Sequence, residues 1–93
     1  LFEEWNRTIK QAGYVVNMTS MPEGLLVMLD AGIPDRCEGT PYGWMIIPEE
    51  NKTMVAVAMM AYMQNDRKIT LGVNGTFFGG YCLVGQAHLL PRD

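Results

Sequence analysis

Cys37, Cys82 and His88 are the residues of this 93-residue chain with the most latent chemistry. A cysteine beside an imidazole forms the thiolate–imidazolium pair that cysteine hydrolases use, with the thiol pKa lowered by the neighbouring charge. No local signature accompanies any of the three, and a lone histidine near a strand end is ordinarily structural. The same two cysteines, if joined, close a loop of about 46 residues and contribute about 4 kcal/mol by restricting the unfolded chain. Two readings stand. A bridge belongs to an oxidising compartment and so to an exported protein, periplasmic or secreted, whereas two buried free thiols belong to a cytoplasmic one. Two cysteines and one histidine fall short of a four-ligand zinc site, so neither metal nor cofactor is expected.

Other constellations are weaker. Ser20 is the sole serine and lies in Thr19-Ser20-Met21, without the glycine-flanked elbow of a hydrolase nucleophile. Glu3/Glu4 and Glu49/Glu50 are adjacent pairs, which point about 100° apart on a helix. They read as solvated charge favouring a helix start. Gly72-Val73-Asn74-Gly75 and Gly79-Gly80 lack the lysine and following helix of a phosphate loop and read as turn glycines. Four of the five asparagines head N-glycosylation sequons, which matter only on a eukaryotic secretory path and are read as coincidence. Tyr42, Trp44, Phe77 and Tyr81 are the candidate ligand surface. On a strand, Tyr42 and Trp44 would share one face and set two flat rings beside Asp35, Arg36 and Glu38, a platform for a sugar or a partner side chain. Burial in the core is the competing fate, the commoner one for Trp44 and Phe78.

The elements that must position these groups follow from periodicity. Phe2, Trp5 and Ile9 recur at helical spacing with polar residues between them, and Gly13 is placed to end the run, so 2–12 is expected to be an amphipathic helix. Strands are expected over 14–19, 25–29, 42–47, 68–73 and 81–90, with Pro22-Glu23-Gly24 as a hairpin turn and 74–80 as a turn or loop. The clearest helix spans 49–64, with Glu49 and Glu50 in its first turn. From Met54 to Met63 it is apolar nearly all the way round. Such a helix is either enclosed by its own fold or shared with another subunit. Four of the eight methionines lie on it, and their flexible thioethers fill gaps in cores and interfaces alike. On the second reading Met54, Val57, Met59, Met60 and Met63 form an oligomer interface.

At 10.4 kDa the chain fits one domain over 1–93, a helix over 1–12 followed by a barrel over 13–90. It is 48% hydrophobic and 18% charged, which excludes disorder. Its net charge of −3, without a basic run, argues against nucleic acid and anionic membrane surfaces. The ten-residue apolar run 54–63 is too short to span a bilayer. Nothing reads as a signal peptide, although a start at Leu1 rather than Met points to a processed or trimmed product.

From Gly13 onward, three strands, one apolar helix and two strands follow the order of the OB-fold barrel, which places its helix between strands three and four. With Cys37 ahead of Trp44, the Ala58-Met59-Met60-Ala61 helix, and Gly80-Tyr81-Cys82-Leu83-Val84 on the last strand, residues 13–90 resemble small secreted bacterial barrels similar to the B subunits of AB5 toxins. The resemblance implies a ring of barrels with helices lining its centre, a Cys37–Cys82 bridge, and a face that binds cell-surface glycans. The helix at 2–12 lies outside that pattern, and no sugar-binding motif carries over. The expectation is an α+β fold, an N-terminal helix plus a small five-stranded, mainly antiparallel barrel. Its expected role is a non-catalytic binding and assembly module, a homo-oligomer with a glycan or protein partner. The alternatives are a thiol-dependent enzyme using Cys37, Cys82 or His88, and a cytosolic ligand-binding or adaptor dimer with free thiols and a dry pocket beneath the helix.

Overall fold

Leu25 to Leu29 is apolar at every position, a pattern that a strand sustains only when both of its faces are covered. In the computed structural model, which describes residues 9–64 and 67–91 and only the backbone of Asp35, this run is the strand Gly24–Leu29 inside a six-stranded mixed sheet. The strands are β1 (Ile9–Gly13), β2 (Val15–Met21), β3 (Gly24–Leu29), β4 (Met45–Pro48), β5 (Ile69–Phe78) and β6 (Tyr81–Leu89). One helix, α1 (Lys52–Met63), connects β4 to β5. The fold is α+β, in the order β1-β5-β6-β4-β3-β2 across the sheet. Neighbours are antiparallel except β4 and β6, whose parallel pairing needs the crossover that α1 and β5 supply.

Alternate residues of the strands build one core. Leu25, Val27 and Leu29 of β3, Met45 and Ile47 of β4, Ile69, Leu71 and Val73 of β5, and Cys82 and Val84 of β6 share a single buried cluster. Leu26 and Ile46, cross-strand partners, are buried outside that cluster, on the other face of their strands.

The sheet must curl. Six strands laid flat would hold β1 and β2 about 24 Å apart. Yet Tyr14 alone separates them, and two successive links span at most about 7 Å. The outer strands therefore meet end to end at Tyr14 without pairing with each other. Asp30 clamps this corner: the Tyr14 N–H donates to Asp30 Oδ1 at 2.9 Å and the Asp30 N–H donates to the Tyr14 carbonyl at 2.9 Å. Gly13 makes the approach feasible, since a Cβ there would lie 2.7 Å from Asp30 Oδ1.

Three expectations are corrected. Ile9 to Ala12, read as the end of a helix, are strand, paired from Ile9↔Val73 to Gly13↔Ile69; residues 1–8 lie outside the described residues. Glu49 and Glu50 precede α1 in a turn, where the Asn51 N–H donates to the Pro48 carbonyl at 3.0 Å, so no acidic residue sits in its first turn. Asn74 to Phe78, expected as turn or loop, continue β5. The reversal falls instead at Gly79 and Gly80, with φ of 62° and 89°, the left-handed pair that a two-residue hairpin requires.

Asp30→Ala removes the side-chain half of the clamp, leaving the backbone bond, and is expected to cost about 1 kcal/mol in urea unfolding. Gly13→Ala is expected to cost at least as much. Wild-type midpoints for both would show that the corner is held by something else.

Candidate functional site

Pro34 to Gly43 is turn-rich sequence with almost no apolar residues to anchor it, and two attachments fix it to β6. Cys37 and Cys82, both fully buried, are joined by a disulfide with their Cα atoms 5.3 Å apart. Thr40, also buried, spends its hydroxyl twice: Oγ1 donates to the Trp44 carbonyl at 2.7 Å and accepts the Cys82 N–H at 3.1 Å. The thiol–imidazole arrangement is absent, because each sulfur is bonded to the other. His88 lies exposed opposite Thr70, six residues along β6 from Cys82 and so about 20 Å away. Among the described residues no cluster of three or more His, Cys, Asp or Glu could hold a metal.

The backbone brings the candidate aromatics to the end of the sheet around Cys82. Phe77 lies opposite Cys82 and Phe78 opposite Tyr81, while Met45, next to Trp44, pairs with Cys82 from the other side. Phe77 and Phe78 are partly exposed, and Trp44 and Tyr81 are half-buried. Tyr42 and Trp44 do not share a strand face, because β4 starts only at Met45. The chain turns there instead, with the Trp44 N–H donating to the Pro41 carbonyl at 3.1 Å and Tyr42 held at φ 56°. A tyrosine in the left-handed region is strained, and this one is 88% exposed, with little packing to offset the cost.

The helix divides its apolar surface in two. Ala58 and Ala61, small enough to let α1 lie close, are buried against the sheet, and Met54, Val55 and Val57 pack on the same core. Ala56, Met59, Met60 and Met63, at i, i+3, i+4 and i+7, form the opposite face. The three methionines there are 46, 47 and 78% exposed. Thus α1 lies on the sheet and is not enclosed by it. Of the interface candidates, Met54 and Val57 turn inward, while Met59, Met60 and Met63 face outward.

Among the described residues, a cleft lies on either side of α1. One, of about 410 Å³, runs between the helix and the β2–β3 hairpin and is walled by Met21, Leu25, Val55 and Met59, with Glu49 and Lys52 at its mouth. The other, of about 430 Å³, opens at the start of α1, where Asn74, Gly75 and Thr76 of β5 face only Leu83 of β6. Asn51, Asn74 and Thr76 line it without any charged group. Sequence reasoning missed both, because each is assembled from segments distant in the chain.

Tyr42→Asn, which tolerates the left-handed conformation, is expected to raise stability by about 0.5–1 kcal/mol in chemical melts. A loss would mean that the exposed ring contributes packing after all. Cys37→Ala combined with Cys82→Ala is expected to cost about 4 kcal/mol, and a drop below about 1 kcal/mol would contradict the stapling role of the bridge. Compared with known proteins, the chain matches no family model, no curated protein and no solved structure.

Proposed function

We propose that the chain is a non-catalytic binding and assembly module that associates with copies of itself through α1. The exposed stripe of Ala56, Met59, Met60 and Met63 carries this reading. These side chains take no part in the core cluster, and a contiguous apolar face left in water is the mark of an interaction surface.

The strand arrangement supports the barrel that the resemblance implies. With β1 and β2 counted as one strand bent at Tyr14, five strands pair in the order first, second, third, fifth, fourth, and the bent strand reaches both ends. The third and fifth are parallel, and the helix lies between the third and fourth. A partly open five-stranded Greek-key barrel with an OB-like arrangement accounts for all of these features. The disulfide favours an oxidising, exported setting. The aromatic end around Cys82, where Tyr42 and Phe77 are more exposed than Trp44 and Tyr81, is where a glycan or protein partner would find flat amphipathic rings. A thiol-dependent enzyme, the competing class, loses its nucleophile to the bridge.

Light scattering after size exclusion is expected to give a multiple of 10.4 kDa for the wild type. Met60→Glu is expected to stay folded, with an unchanged melt, and to run as a single chain, because a charge on that face meets water in the monomer but an apolar partner in the assembly. A wild type that is monomeric throughout contradicts the reading.

A further inference from the structure

The groove beside α1 carries both halves of a self-complementary surface, and we infer that it seats a second copy of this chain about a two-fold axis passing between Glu49 and Lys52. This rests on the self-association reading and names its contact. An isologous interface uses one patch on both copies, so that patch must hold a hole and its plug together. The hole is the groove of about 410 Å³ with Leu25 on its floor and Met21, Val55 and Met59 as walls. The plug lies beside it on the same helix: Met60 and Met63 are long and flexible, and 47 and 78% exposed. A small aliphatic ligand would fill the groove and still leave that stripe wet.

Charge points the same way. Two copies of a chain of net charge −3 repel over most orientations. The groove, however, carries one acid and one base, and α1 has no charged residue after Lys52. Neither Glu49 nor Lys52 has a side-chain partner among the described residues. A two-fold between them sets Glu49 of each copy against Lys52 of the other, so both contacts become attractive at once and the patch selects its own copy. A head-to-tail ring would join this groove to some different surface and gain nothing from the pairing.

The test is charge reversal read by sedimentation across a concentration series. Glu49→Lys alone, or Lys52→Glu alone, puts like charges at both contacts and is expected to weaken self-association at least about tenfold, with melts unchanged because both side chains are exposed. Mixed in equal amounts, the two variants are expected to recover a heterodimer of wild-type affinity, since every contact across the axis is again between opposite charges. A wild type that associates while either single reversal leaves its mass unaltered, or a mixture that fails to recover, overturns the isologous contact and leaves self-association standing. A wild type that is monomeric at about 100 µM overturns both.

Discussion

Two hydrogen bonds between Tyr14 and Asp30 hold the corner on which the remaining architecture depends. At that corner one stretch of chain stops pairing with β5 and starts pairing with β3, which lie at opposite sides of the sheet order. Only a curled sheet permits this, and curling turns the alternate residues of β3, β4, β5 and β6 toward one another. Among the described residues all the strands belong to this one sheet, so no second sheet packs on it. Folding one sheet round its own apolar face is the remaining way to bury Val27, Ile47, Leu71 and Val84 together.

A curled sheet leaves its mouth to be covered, and α1 does this with few residues. Alanines at 58 and 61 let the helix lie close, and Met54, Val55 and Val57 complete the cover. The helix is apolar all round, however, so once the core is satisfied a second apolar face remains, toward water. The 34–43 segment, whose Cys37 joins the same core, has no such face and is tied down by the Cys37–Cys82 bridge and the Thr40 hydroxyl. The two attachments differ in kind: burial holds the helix, whereas a covalent bond and one buried hydroxyl hold the loop. The first leaves an apolar face toward water, and the second leaves a partly exposed aromatic end.

The sequence was most legible where a single period ruled. The run 25–29, the strand from Tyr81 and the helix through 52–63 stand near where periodicity puts them. The N-terminal reading failed because Ile9 fits two patterns, helical spacing after Phe2 and Trp5 and strand alternation with Gln11 and Gly13. Pairing with β5, a tertiary event, decided for the strand over 9–13. Asn74-Gly75 has turn chemistry but is spent on an irregularity inside β5, and the true reversal lies four residues on at Gly79. Tyr42 is a good β-former held in a left-handed turn, a departure no propensity scale anticipates. The cysteine pair was legible as a choice between bridge and thiols, and only proximity resolved it. The groove was not legible at all, since its walls come from 20–25, 49–52 and 55–59.

The outer face of α1 is bare in the single chain, and the proposed assembly would cover it. Solvent paramagnetic relaxation of methionine methyl groups, followed through a dilution series, reads both states in one sample. Met60 and Met63 should be shielded at high concentration and become strongly relaxed on dilution, while Met45, fully buried in the core, stays shielded throughout. Strong relaxation of Met60 and Met63 at every concentration would leave α1 without a partner and contradict the account.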